Sequence, residues 1–338
     1  MPRRINLALQ GGGAHGAFTW GVLDRLLEDP DIEIAGISGA SAGALNGAAL
    51  KAGLLKGDRE GARESLDWLW RRVGAMGDMR LTGWMSSFAP PPGVISQALE
   101  YSLPYSVADA ASRIFSPYDY GPFYRNPLER IVRRFEYDAV CAIDGPAFFV
   151  SATNVRTGKI KVFEGQEIST KAILASACLP SVFQAVEIEG EAYWDGGYTG
   201  NPALFPLFAP ELPSDIVIVN INPLYRENVP RDARDILNRI NEISFNTSLL
   251  RELRAINFVQ RLLADEKVAK GAMKEVHVHM IADDALMRDL SVASKLMPVP
   301  SVLSDLKAAG RRAADSFLAE HTDKVGIASS VDLAAMYE

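Results

Sequence analysis

Apolar and polar positions follow two rhythms along this 338-residue chain. Short, mainly apolar runs at 5–9, 32–37, 147–152, 159–163, 215–221 and 275–281 read as strands, and 185–193 reads as a hairpin. Between them apolar residues return every three or four positions. Phe18, Val22, Leu23, Leu26 and Leu27 share one helical face, and a second helix starts at Ala42 and runs through Ala44, Leu45, Ala48, Ala49 and Leu50. In 244–264, Phe245, Leu249, Leu253, Ile256 and Leu263 recur at helical spacing beside Arg251, Arg254 and Arg261, the pattern of a core-facing scaffold helix rather than a membrane anchor. Strands alternating with helices predict an α/β fold: a three-layer α/β/α sandwich with a mostly parallel central sheet. One stretch breaks the rhythm. Residues 73–126 hold Trp84, Phe88, Pro90-Pro91-Pro92, Tyr101, Tyr105, Phe115, Tyr118, Tyr120, Phe123 and Tyr124 with few charges, which predicts an aromatic-rich insertion, either a lid or acyl-binding wall or an ordinary packed subdomain.

The chemistry concentrates where strands give way to helices. After the second strand comes Gly39-Ala40-Ser41-Ala42-Gly43, a Gly-x-Ser-x-Gly pentapeptide in the strand-turn-helix context that presents a nucleophilic serine. After the first comes Gln10-Gly11-Gly12-Gly13-Ala14-His15-Gly16, whose backbone N–H groups at a helix N-terminus suit an oxyanion or a phosphate. Gly11, Gly13 and Gly16 also satisfy Gly-x-Gly-x-x-Gly, so a nucleotide-binding protein without catalysis is the competing reading. That fingerprint requires an acid at the end of the next strand, but Glu33 lies near its start and the strand ends Gly36-Ile37-Ser38. No Gly-Lys-Ser/Thr follows, which excludes a Walker loop. Trp194-Asp195-Gly196-Gly197 follows the hairpin; taken alone, Asp195 reads as a turn residue.

These three motifs, with Ser151-Ala152-Thr153-Asn154-Val155-Arg156-Thr157-Gly158-Lys159 and Ala175-Ser176-Ala177-Cys178-Leu179-Pro180, closely resemble the patatin-like phospholipases over residues 5 to about 222. The resemblance implies a single catalytic domain over 1–338, with the insertion at 73–126 and a helical extension from about 229. It implies a Ser41–Asp195 dyad, with Gly11, Gly12 and Gly13 as oxyanion hole and Gly39 and Gly43 flanking the nucleophile elbow. One position departs: the family often has Arg or Lys where this chain has His15, which at its usual pKa is mostly neutral at pH 7. His277 and His279 share a strand face and keep a conventional Ser-His-Asp esterase for soluble esters open; a two-histidine metal site has no evident third ligand.

Composition narrows the class further. A net charge of −7 argues against a nucleic-acid partner. Cys141 and Cys178 show no metal or disulfide spacing, in keeping with a reducing cytoplasm. The apolar run after Met-Pro-Arg-Arg is too short for a signal peptide, and the uncharged run 34–50 is too short and polar to span a bilayer. The expectation is a cytoplasmic enzyme, at most peripheral to a membrane. It hydrolyses lipid or other acyl esters through an acyl-enzyme on Ser41, as a phospholipase A, lysophospholipase or esterase, without cofactor or metal.

Overall fold

In the computed structural model, which describes residues 2–76, 91–102, 116–269 and 271–337, eight strands form one sheet. They are β1 (Arg3–Leu9), β2 (Ile32–Gly39), β3 (Ala147–Asn154), β4 (Ile160–Glu164), β5 (Val186–Ile188), β6 (Glu191–Asp195), β7 (Asp215–Asn220) and β8 (His277–Ala282). The order is β5-β6-β3-β2-β1-β7-β8, with β4 also paired to β3. From β3 to β8 the pairing is parallel. The other three pairings are antiparallel, so the sheet is mixed around a parallel core. The antiparallel edge has a local cause. β5 and β6 are joined by only Glu189 and Gly190, both at positive φ (52° and 83°), the backbone of a two-residue hairpin turn.

Alternation along the central strands makes two cores. Ile5, Leu7 and Leu9 of β1 and Val217 and Val219 of β7 face one side, whereas Ala8, Ile216 and Ile218 face the other. The first side is covered by α1 (Gly16–Leu26), α2 (Ala42–Met76, broken at Gly57-Asp58) and α3 (Thr170–Ser176). The second is covered by α4 (Ala233–Ala264) through Leu249, Leu253 and Ile256. α4 starts before the 244–264 pattern: Ile236, Leu237, Ile240 and Ile243 carry the helical spacing back, and Asp232 caps the helix, accepting the N–H groups of Arg234 and Asp235 at 3.0 Å. The chain then adds α5 (Val292–Leu296) and α6 (Pro300–His321), the latter returning to the first side. The stretch from about 229 onward is therefore not only helical: it also supplies β8 to the sheet edge.

Trp84, Phe88, Tyr105 and Phe115 of the aromatic-rich stretch lie outside the described residues. Of the remainder, Tyr118 and Tyr124 accept the N–H groups of Ala185 and Gln184 at 3.0 and 3.1 Å, tying residues 116–124 to the approach to β5.

The tightest helix crossing is that of α1 and α6. A Cβ at Gly21 would lie 1.9 Å from the Lys307 carbonyl oxygen, and one at Gly310 would lie 2.0 Å from that of Phe18. The buried Asp24 of α1 binds Arg63 at 2.9 Å and Arg311 of α6, which compensates the charge at this contact. Gly310→Val should therefore destabilise the fold by about 1–3 kcal/mol through overpacking against backbone. Urea denaturation checks this, and an unchanged midpoint would mean that the helices can separate freely.

Candidate active site

Ser41 follows β2 and precedes α2, with φ at 53°, a conformation that L-residues adopt only under constraint. The constraint comes from close backbone packing. A Cβ at Gly39 would lie 2.6 Å from the carbonyl of Gly43, and one at Gly43 would lie 2.0 Å from the Leu9 oxygen, so neither position admits a side chain. The Ser41 N–H is donated to Ser176 Oγ at 2.9 Å, which fixes the turn from α3. At the start of α2, Gly43 donates its N–H to the Ala40 oxygen at 2.7 Å and Leu45 to the Ser41 oxygen at 3.1 Å. Among the described residues no acceptor takes the N–H of Ala42.

Asp195 arrives along the same edge of β3. β2 occupies that edge up to the pair Gly39↔Val150, and β6 continues it from Ala152↔Asp195, about 7 Å further along. Asp195 has no exposed surface. Its backbone N–H is donated to the Cys178 carbonyl at 2.9 Å, and its own carbonyl accepts the Thr153 hydroxyl at 2.8 Å. Oδ1 accepts the Gly197 N–H at 2.7 Å, while Oδ2 has no partner of full hydrogen-bond geometry. Burial pushes the carboxyl up to about 7, and the Gly197 N–H and the nearby Ser41 hydroxyl offset only part of that rise.

The glycine loop lies against the serine. A Cβ at Gly11 would meet the Ser41 Cβ at 2.7 Å and the Ala40 oxygen at 2.9 Å. Gly11 is itself clamped: its N–H is donated to Asn201 Oδ1 at 2.6 Å, and its carbonyl accepts Asn222 Nδ2 at 2.9 Å. This takes the Gly11 N–H out of the donor set that the motif suggested. The N–H groups of Gly12 and Gly13 have no acceptor among the described residues. Gly13 needs its φ of 58°, and a Cβ there would lie 2.3 Å from the Lys295 oxygen. The N–H groups of Gly12, Gly13 and Ala42 thus lie at two helix starts, where the helix dipole favours negative charge.

The histidines on β8 stand elsewhere. His279 pairs in register with Val217, Val217 with Leu7 and Leu7 with Ile37, so three strand spacings, roughly 14 Å, separate it from β2. His279 Nε2 lies 3.0 Å from Asp215 Oδ1 and His277 Nδ1 lies 3.4 Å from the same oxygen. Burial raises the Asp215 pKa, but the His279 hydrogen bond, the Gly326 N–H and the two imidazoles outweigh it and the net shift is downward. Ser330 Oγ lies 3.1 Å from His279 Nδ1, so Asp215, His279 and Ser330 repeat the contact order of a hydrolase triad. With His279 fully buried, this group is a staple for residues 326–330. Among the described residues no three His, Cys, Asp or Glu side chains are placed to hold a metal ion, and no helix is long and apolar enough to cross a membrane.

The model of the family described as patatin-like phospholipase matches residues 7–208, a span that contains Ser41, Asp195 and the glycine loop. The chain belongs to the patatin-like phospholipase family. Among solved structures it is similar to VipD from Legionella pneumophila (13% identity, TM-score 0.43, 95% of this chain and 67% of that one). It is also similar to a chain of the ExoU–SpcU complex from the type III secretion system of Pseudomonas aeruginosa (18% identity, TM-score 0.32). That second match covers 94% of this chain and 61% of the other. No curated protein matches the chain significantly.

At the position where patatin-like sequences often have Arg or Lys, His15 is buried, with Nε2 2.8 Å from Ser294 Oγ. Burial first, and the charge of Lys295 second, hold its pKa well below 6.5, so it is neutral at pH 7. Sequence reasoning missed Ser176, Asn201, Asn222 and Lys295. The rule that sites in open α/β sheets form at the carboxyl ends of strands would have marked Gln10 and Asn222, which follow β1 and β7. For Lys295, far along the chain, no signal was available.

The buried carboxylate makes a stability claim. With a folded pKa of about 7 and an unfolded one near 3.9, Asp195 supports folding fully only below pH ~4, and that support is lost as pH rises through about 7. Three units correspond to about 4 kcal/mol at most. Asp195→Asn should therefore raise the melting temperature at pH 8 and lose that gain by pH 4. A gain of equal size at both pH values would show that charge burial is not the cause.

Proposed function

We propose that the protein is a serine-dependent acyl hydrolase of lipid esters, with Ser41 as nucleophile and Asp195 as its base. The single observation that carries the reading is the packing of the glycine loop onto the serine turn: Gly11 is in contact with Ser41, and the buried Asp195 carboxyl, one oxygen of it unpaired, is influenced by the Ser41 hydroxyl. A carbonyl carbon near Ser41 Oγ would have its oxygen among the N–H groups of Gly12, Gly13 and Ala42. Attack forms the Oγ–C bond and passes the serine proton to Asp195, while those N–H groups hold the oxyanion. Collapse breaks the ester C–O bond, and the protonated Asp195 returns its proton to the leaving alcohol. Water then repeats the sequence on the acyl-enzyme. A carboxyl group with a pKa near the working pH suits both halves of this exchange. Membership in a phospholipase family favours lipid esters among acyl substrates.

Ser41→Ala should abolish turnover of p-nitrophenyl esters and phospholipids without altering the fold, and a fluorophosphonate should label the wild type at Ser41. Labelling at a different serine would overturn the assignment. Because Asp195 must be ionised to accept the proton, kcat/KM should fall as pH drops through about 7. A histidine base would produce a similar limb, so mutagenesis separates the two. Asp195→Asn should lose about 10²–10⁴-fold or more in kcat, while His279→Ala, if folded, stays within roughly tenfold. A folded His279→Ala as inactive as Ser41→Ala would replace the dyad by a triad. Comparing phospholipids, lysophospholipids and acylglycerols then identifies the head group.

A further inference from the structure

Behind the glycine loop lies a network of buried amides whose orientations chemistry dictates. Lys295 Nζ donates to Asn222 Oδ1 at 2.8 Å and to Asn241 Oδ1 at 3.2 Å. Because an ammonium only donates, Asn222 must present Oδ1 to Lys295 and Nδ2 to the Gly11 carbonyl and Gln10 Oε1, at 2.9 and 3.1 Å. Gln10 Oε1 also accepts the N–H groups of Ile221 and Asn222, and Gln10 Nε2 donates to Asn246 Oδ1 at 3.2 Å. Gln10, Asn222 and Asn246 are almost wholly buried. The Gly11–Gly12 peptide is trans, so its N–H points opposite to the carbonyl that Asn222 holds.

The charge on Lys295 is unusual in its setting. No carboxylate lies within ion-pair distance of it among the described residues, and the nearest acid it feels, Glu242, is already bound by Arg226 and Arg239. His15, the titratable group on the loop side, is neutral. A half-buried cation without a carboxylate partner is costly to keep charged. Lys295 also lies outside the family match at 7–208.

We propose that Lys295 and Asn222 form a relay that orients and polarises the Gly11–Gly12 peptide, making Lys295 a positioning residue for the oxyanion. The relay rests on the reading of Ser41 as nucleophile. The ammonium draws electron density from the Asn222 carbonyl, which strengthens the Nδ2–H bond to the Gly11 oxygen and in turn makes the Gly12 N–H a better donor. The same charge stabilises an anion in front of the loop through space. No bond is made or broken in the relay.

The test is steady-state kinetics on p-nitrophenyl butyrate with Lys295→Met, Lys295→Arg, Asn222→Asp and the double variant Lys295→Met/Asn222→Asp. Losing one direct oxyanion donor costs about 10²–10³ in kcat, so loss of its support should cost about 10–100-fold. KM should stay within about threefold. Asn222→Asp keeps the lysine contact but turns an acceptor toward the Gly11 carbonyl, and should be as impaired as Lys295→Met. Lys295→Arg should retain more activity than Lys295→Met. The double variant should be no worse than the poorer single one, because the two groups act in series. Unchanged kcat in folded Lys295→Met, or additive losses, would overturn the relay. If the wild type neither turns over esters nor reacts with fluorophosphonate, the hydrolase reading has failed. The relay is then decided by NMR of ¹⁵N-glycine-labelled protein: an upfield move of the Gly12 amide proton in Lys295→Met supports it, and an unmoved one refutes it.

Discussion

The contact between two backbone segments, the loop after β1 and the turn after β2, sets the conditions for the rest of the site. These strands are register neighbours, Leu9 opposite Gly39, so their exits lie side by side. For the exits to touch, side chains must be missing: Gly43 closes on the Leu9 carbonyl and Gly11 on the Ser41 side chain. That closeness holds Ser41 at a φ of 53° and brings two helix starts to one point. Helix starts supply N–H groups without intrahelical partners, and a negative charge is the natural occupant of such a place. The strained Ser41 turn and the unpaired N–H groups beside it are thus consequences of one packing arrangement.

Around this point the protein keeps charge scarce and polar groups paired. Asp195 is stripped of water and accepts one full hydrogen bond, which leaves its other oxygen unpaired. His15 is held neutral by burial. Asn201 and Asn222 satisfy Gly11 on both sides, so the loop is rigid without presenting Gly11 itself. Burial also lowers the Lys295 pKa, to about 8, with Glu242 opposing the shift and Arg226 adding to it. A site with one unsolvated carboxylate and one unpaired ammonium is electrostatically expensive, and the extensive apolar layers on both sheet faces sustain it.

The local periods determined a good deal by themselves. Every strand of the sheet was legible within a few residues, because alternation and short apolar runs between turn residues are properties of the strand itself. The parallel core followed from alternation with helices. Gly39, Ser41 and Gly43 were legible as a unit because the elbow's geometry is dictated within five residues. The early start of α4 was missed, although Ile236, Leu237, Ile240 and Ile243 carry its spacing back toward Asp232.

What the sequence could not determine is which distant groups meet. Asp195 comes near Ser41 because β6 takes over the β3 edge where β2 stops, a matter of strand pairing. His277 and His279 had the residue types of a catalytic base, yet pairing order put them beside Asp215, three strands from the serine. Asn201 and Lys295 carry no local signature, and Asn222 only its place after β7, since an amide or ammonium acquires its role from the groups it is buried against. Sequence alone therefore marked most elements and the tight turn at Ser41, which depend on interactions between near neighbours. Tertiary structure decided the partners, because burial and pairing act between segments that the chain brings together only when folded.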